Sequence, residues 1–435
     1  LNSDIQSRKE HAMVEHRTLS SSSRLLLLAY SLLWTGLPPF LLLSKRLRPS
    51  LQKRLWTRLK PNRADLWIQA ASTGEAGLAR EMLDNWPASG TVRALVTTNT
   101  LQGLEVLQNH SFPEHVRIQA DLCPRDSLWA MRRVVKACRP RVAVLLETEL
   151  WPGMMRACQR EKVPIMLLNG RLSSRSLARY LCLDRLWSDL APNQVHAVTE
   201  EDAARFRRLF PRAQVGTMPN MKFDRARSSS PIPFVHNTLS GLIKAQSQFV
   251  VLGSVRKQEE SHVAPVIERL AQDNPKAIIA VFPRHLNRLD FWKEWFESRN
   301  LPWELRSRLN DHVPQGTIIL WDRFGELEQA YALARAAFVG GTLAPLGGQN
   351  FLEPLNQGVI PCIGPFWPSF SWAGHSLVEQ NLVKVIHTAD ELTVSLTADL
   401  RHPPNRDKVH QRFQEFVQAR SGGTQQAINA VLQAL

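Results

Sequence analysis

Gly347-Gly348-Gln349-Asn350-Phe351-Leu352-Glu353-Pro354 follows the strand-like run Ala336-Ala337-Phe338-Val339-Gly340-Gly341 and leads into a second apolar segment, Val359 to Ile363. Glycines let a backbone approach a ligand closely, and a helix starting just after them points unpaired N–H groups at a bound anion. A carboxylate at Glu353, in the first turn of that helix, is placed to accept two hydroxyls of a ribose. Gly-rich loops are frequent in α/β chains and most only make a turn, so the run takes its weight from a second one far upstream. Ala71-Ser72-Thr73-Gly74-Glu75 also stands where a strand, Leu66 to Ala70, gives way to a helix. Two strand-to-helix mouths, one in each half of the chain, predict two α/β domains with a cleft between them.

Working outward, short apolar runs alternate with helix-patterned stretches. Strands are predicted at Leu66–Ala70, Val92–Val96, Val142–Leu146, Ile165–Leu168 and Val195–Val198, with helices at Ala76–Trp86, Gln102–Gln108, Ser127–Cys138 and Gly153–Glu161. The pattern resumes with strands at Phe249–Leu252, Ala277–Phe282, Thr317–Leu320, Ala336–Val339 and Val359–Ile363. Near-continuous apolar strands separated by helices imply parallel sheets covered on both faces. The resulting division is a tail, apolar segment and basic segment over 1–63, a doubly wound domain over 64–226, a linker over 227–246, a second doubly wound domain over 247–400 and terminal helices over 401–435. The linker is placed by Ser228-Ser229-Ser230-Pro231-Ile232-Pro233, which carries little pattern.

At 435 residues the chain is too long for one ordinary core. With 44% hydrophobic and 21% charged residues it is globular and not disordered. A net charge of +15 calls for an acidic partner or surface. Lys45, Arg46, Arg48, Lys53, Arg54, Arg58, Lys60 and Arg63 include no acid among them and follow directly on the apolar stretch Leu25 to Leu43. That juxtaposition favours anionic lipid over nucleic acid, for which no known motif is present. Leu25 to Leu43 is interrupted by Pro38-Pro39, so it reads as a membrane anchor, either one span with its basic end in the cytoplasm or a helix lying in the interface. The alternative is a first helix buried in the globular domain. Five scattered cysteines without a Cys-x-x-Cys pair point to reduced thiols, and neither they nor any histidine spacing suggests a metal site.

Glu75 ends the first strand of its domain, on the side where open α/β sheets bind ligands, and a carboxylate there suits a general base. A helix first-turn glutamate facing the macrodipole is the plainer explanation. Glu147-Thr148-Glu149-Leu150-Trp151-Pro152 follows the strand Val142–Leu146 and should bring at least one carboxylate to the same mouth. Lys222, in Asn220-Met221-Lys222-Phe223-Asp224, is a point charge for a carboxylate or phosphate. In the second half, Ser254 and Arg284 follow successive strands and offer donors to phosphate, although Ser254 would serve equally as a helix cap. Gly325-Glu326-Leu327 begins a helix whose N–H groups suit a nucleobase edge or a phosphate. No G-x-S-x-G or Walker loop occurs, which argues against a serine hydrolase and a P-loop kinase.

Ser72 to Glu75, Glu147 to Pro152, Asn220 to Asp224, Pro283-Arg284-His285, Gly325 to Leu327 and Gly347 to Pro354 occur in an order that resembles the 3-deoxy-D-manno-octulosonic acid (Kdo) transferases, two-domain inverting glycosyltransferases of the GT-B type. The resemblance extends from about Leu66 to Phe370. It implies a CMP-Kdo donor, a lipid A precursor as acceptor, no cofactor or metal, and a place on the cytoplasmic face of the inner membrane beside anionic lipids. It implies further that Glu75 is the base and that Glu149 and Lys222 help position Kdo. Ser254, Pro283, Arg284, Gly325, Glu326, Leu327, Asn350 and Glu353 would hold CMP, with Glu353 on the ribose. Gln349 departs from the histidine usual in that family, and Thr73 from a common valine. A transferase using another nucleotide sugar, and a non-catalytic basic protein of membrane surfaces, are the competing readings.

Overall fold

Leu66–Gln69 (β1) is buried at every residue, as a strand covered on both faces must be, and it pairs in parallel with Val92–Thr98 (β2) on one side and Val142–Leu146 (β4) on the other. The computed structural model describes residues 19–36, 61–227, 230–373 and 375–435. Val116–Leu122 (β3) extends the sheet beyond β2, while Ile165–Gly170 (β5), Gln194–Ala197 (β6) and Gln214–Thr217 (β7) continue it beyond β4. The order β3-β2-β1-β4-β5-β6-β7 is parallel throughout and reverses direction between β1 and β4. One hydrophobic core lies on each face, centred on Trp67, Leu145 and Leu167 on one side and on Ile68, Val144 and Leu168 on the other.

A second parallel sheet has the order β10-β11-β9-β8-β12-β13-β14, built from Phe249–Val255 (β8), Ile278–Pro283 (β9), Trp303–Leu305 (β10), Ile318–Leu320 (β11), Ala336–Val339 (β12), Pro361–Ile363 (β13) and Lys384–Val385 (β14). Its reversal falls between β8 and β12. Val250, Leu252, Ile279 and Phe338 pack with Val263, Ile267 and Leu270 of the helix Glu260–Asp273.

The chain divides into two units, residues up to Arg225 together with Arg420–Leu435, and Ala226–Ala419. The stretch 227–246, read from sequence as a linker, goes with the second unit, since its Leu239 and Ile243 are fully buried and Asn237 Nδ2 donates to Gln329 O at 2.8 Å. The terminal helices part company. Arg406–Gln418 stays with the second unit, whereas Gly423–Ala434 seats Ala427, Ile428 and Val431 in a core of the first. Asp224 caps that last helix by accepting from Gly422 N and Thr424 N, both at 2.6 Å.

A spanning anchor is not shown among the described residues. The helix Ser21–Gly36 has 16 residues, and among the described residues no helix is long and apolar enough to cross a membrane. Its polar side is fastened to the first unit instead: Ser20 Oγ donates to Asp189 at 2.9 Å, Tyr30 Oη to Asp126 at 2.9 Å, and Leu27 is buried. Residues 37–43 of the predicted apolar stretch, and the basic run from Lys45 to Lys60, lie outside the described residues.

Candidate active site

In the first unit the reversal between β1 and β4 sets two loops side by side, and the acids predicted from sequence stand on them. Ser72 caps the helix Thr73–Asp84. Its hydroxyl accepts from Glu75 N at 3.3 Å and donates to Glu75 Oε1 at 2.8 Å, while Ala71 N donates to Oε2 at 2.7 Å. This reciprocal box bends the Glu75 side chain back over the strand end. Only 5% of Glu75 is exposed. Burial above all, then the charge of Glu149 and after it Glu147, pushes its carboxyl up to about 8 against the pull of the Ser72 and Ala71 hydrogen bonds.

Glu149 accepts from Trp151 Nε1 at 2.8 Å, and burial raises its carboxyl, with Glu147 adding to the rise. Glu147 holds a left-handed backbone, φ 56°, which a residue with a Cβ rarely adopts, and its carboxylate is ion-paired with Lys222. Burial raises the Tyr180 hydroxyl, and the charge of Glu149 adds to the rise. The structure therefore gathers Glu75, Glu147, Glu149 and Lys222 into one cluster: one lysine and three carboxyl groups, of which that of Glu75 is pushed up to about 8. Such a cluster can hold or remove a proton from a sugar hydroxyl at moderate pH.

The second unit carries a pocket of about 360 Å³ at the carboxyl ends of its strands. Ser254, Pro283, Arg284, Gly325, Leu327, Asn350 and Glu353 all line it. Glu326 does not. Its carboxylate is taken by Arg306, at 2.9 and 3.0 Å, and by Trp321 Nε1 at 2.9 Å, so it fixes the tryptophan wall of the pocket. Lys222 stands in the first unit with Glu147.

Sequence reasoning missed that wall, where Phe282 and Trp321 stack with ring centres 4.3 Å apart. Aromatic residues at the ends of two apolar strands are its only signal in the sequence. Tyr331 was missed as well; it is fully buried under Gly253, where a Cβ would come within 1.9 Å of the Tyr331 hydroxyl. Gly347 and Gly348 have φ of 94° and 89°, so the run that opened the reading does need glycine there. The helix after it, Leu352–Asn356, is only five residues long, too short to build the anion-attracting dipole expected of it. Asn350 Nδ2 instead donates to Glu353 Oε1 at 3.0 Å and orients that carboxylate at the pocket edge. Arg284 is exposed and makes no ion pair among the described residues.

Among the described residues no group of three or more His, Cys, Asp or Glu side chains is arranged to hold a metal ion. All five cysteines are free thiols, and Cys182 alone is exposed.

A family model described as 3-Deoxy-D-manno-octulosonic-acid transferase (kdotransferase) matches residues 47–225. A 3-deoxy-D-manno-octulosonic acid transferase of Bordetella pertussis is 26% identical over 383 residues, 85% of this chain and 87% of that protein. A bifunctional glycosyltransferase/methyltransferase of Fusobacterium nucleatum subsp. nucleatum is 27% identical over 383 residues; the chain spans 59% of its length. A UDP-GlcNAc 2-epimerase from Neisseria meningitidis shares the fold, with a TM-score of 0.56 at 13% identity over 85% of this chain and 98% of that one.

Proposed function

The chain belongs to the 3-deoxy-D-manno-octulosonic acid transferases, and from that premise we propose that it moves Kdo from CMP-Kdo to a hydroxyl of the lipid A precursor, with inversion at the anomeric carbon. Glu75 removes the hydroxyl proton of the acceptor sugar. The oxygen so freed forms a bond to the anomeric carbon of Kdo as the bond from that carbon to the CMP phosphate oxygen breaks, and CMP leaves with the electron pair. Arg284 stabilises the charge gathering on the departing phosphate, and the N–H groups near Ser254 assist it. Phe282 and Trp321 offer stacking surface to the base, and Glu353 receives the ribose hydroxyls. Lys222 and Glu149 sit beside Glu75, where the carboxylate of Kdo would meet a cation and its hydroxyls an acceptor.

The observation that carries this reading is the Glu75 carboxyl, buried, boxed by Ser72 and Ala71, and pushed up to about 8. A solvated helix-start glutamate could make the same box but would keep an ordinary value. Release of CMP from CMP-Kdo in the presence of lipid A precursor tests the proposal, and the product mass gives the number of Kdo units added. No release by the wild-type protein, or undiminished release by Glu75→Gln, would refute it.

We further propose that the enzyme works on the cytoplasmic face of the inner membrane and meets anionic lipid through the helix Ser21–Gly36. At 100° per residue, Leu25, Leu26, Leu28, Leu32 and Leu33 fall within an arc of about 160°, and all five are exposed. Trp129 is 73% exposed on the neighbouring helix Leu128–Cys138, with the Arg133 guanidinium 5.7 Å from its ring centre. Leucines, a tryptophan and arginines in one region suit a surface that lies in the headgroup layer.

A further inference from the structure

Glu259 and Glu260 stand where the turn after β8 becomes the helix Glu260–Asp273, and the reaction proposed above uses neither. Glu259 has no exposed surface. A carboxylate that deep persists only when its oxygens are satisfied, and four backbone N–H groups from two loops satisfy them. Gly341 N at 2.5 Å and Arg256 N at 3.1 Å donate to Oε2; Thr342 N and Leu343 N, each at 2.8 Å, donate to Oε1. Arg256 lies two residues past Ser254 on the loop leaving β8. Gly341 to Leu343 form the start of the loop leaving β12, and β8 and β12 are the neighbours between which the sheet reverses.

The second loop runs on into the pocket. Gly348 N donates to Gly341 O at 2.8 Å, and the next two residues, Gln349 and Asn350, line the pocket wall. Glu260 does related work on a third loop: Arg288 donates to both its oxygens, at 2.9 and 2.6 Å, at the end of the turn Leu286–Arg288 that follows Pro283 and Arg284.

We infer that Glu259 is the positioning residue of the donor pocket, its carboxylate bridging the N–H groups of Arg256 and of Gly341 to Leu343 so that Ser254 and Gln349–Asn350 face the nucleotide at a fixed separation. The inference rests on the reading of this pocket as the nucleotide site. Glu259 itself is fully buried and is not among the residues that line the pocket. The bridge demands an acceptor-only group: a glutamine turns an NH2 toward N–H donors and loses the bonds on one side.

Glu259→Gln is tested by titrating CMP calorimetrically and by following hydrogen exchange at the amides of Gly341 to Leu343. Leu270→Ala, a core truncation on the same helix, is the control for lost stability alone. The CMP Kd should rise at least about tenfold in Glu259→Gln, and the three amides should lose protection, while Leu270→Ala binds CMP like wild type. Should Glu259→Gln fail to fold, Glu259→Asp keeps the charge but shortens the reach by one methylene, and it must show the same two changes in smaller degree. An unchanged Kd in a folded variant at Glu259 would overturn the inference. If the wild-type protein itself ignores CMP, the nucleotide reading fails, and the exchange measurement alone decides the bridge: unaltered protection at Gly341 to Leu343 would overturn it.

Discussion

Glu75→Gln should make the first unit progressively more stable than wild type as the pH rises. In the fold, burial and the charge of Glu149 hold the wild-type carboxyl protonated up to about 8, whereas in the unfolded chain it ionises at its ordinary 4.5. Below the unfolded value both states carry the proton and the preference for the fold is fully present. As the pH climbs, the unfolded state loses its proton first, and the contribution drains away until the folded carboxyl ionises too. Moving a midpoint from 4.5 to about 8 corresponds to roughly 5 kcal/mol at 1.36 kcal/mol per pH unit. Glutamine has no proton to lose. The stability of the variant minus that of wild type should therefore grow by about 3 kcal/mol between about pH 4.5 and pH 7, and by roughly 5 kcal/mol once the pH passes 8. Urea titrations of both proteins at about pH 5, 7 and 9 measure this difference directly. A difference that stays flat with pH, or shrinks toward alkaline pH, would mean that Glu75 titrates like a solvated carboxyl and would remove its claim to be a tuned base.

Three further outcomes follow from the same geometry. The rate of CMP release should climb through a midpoint near 8 as Glu75 ionises, and Glu149→Gln should move that limb to lower pH, because a raising charge is gone while the burial remains; a limb that stays in place would separate the two acids. Asp126→Ala leaves Gly153 N, Met154 N and the Tyr30 hydroxyl without the buried carboxylate they share. It should destabilise the first unit by about 3 kcal/mol or more in denaturant titrations, against about 1 kcal/mol for Tyr30→Phe. Gly253→Ala should cost tenfold or more in CMP affinity, because its methyl collides with the Tyr331 hydroxyl, and Tyr331→Phe in the same chain should recover part of the loss; an alanine variant with normal affinity would show that the strand end yields.

Much of the fold was legible because buried strands of parallel sheets write themselves as continuous apolar runs. Val142–Leu146 and Ala336–Val339 occur at their predicted bounds. The strands that escaped notice lie toward the sheet edges: β3 has five partly exposed residues in seven, β7 has three exposed in four, and β10 and β14 have three and two residues. Edge strands share their periodicity with loops. Hydropathy also left open whether the N-terminal helix spans or lies flat, since it counts leucines and takes no account of Ser20, Leu27 and Tyr30, which bind the helix to its own unit.

The sequence alone determined which residues stand at strand ends, because a strand that runs into glycine and an acid announces the end of one element and the start of the next. Glu75, Glu149, Ser254, Arg284 and Glu353 were reached in that way. Only the tertiary structure decided what each acid does there. Burial and neighbouring charge act through space, and they single out Glu75 as the carboxyl pushed up to about 8 while Glu147 is spent on Lys222 and Glu326 on Arg306. Glu259 shows the limit most plainly, since its four N–H partners come from two loops more than eighty residues apart in the chain, and no local pattern of residues records a bond that the sheet order alone brings about.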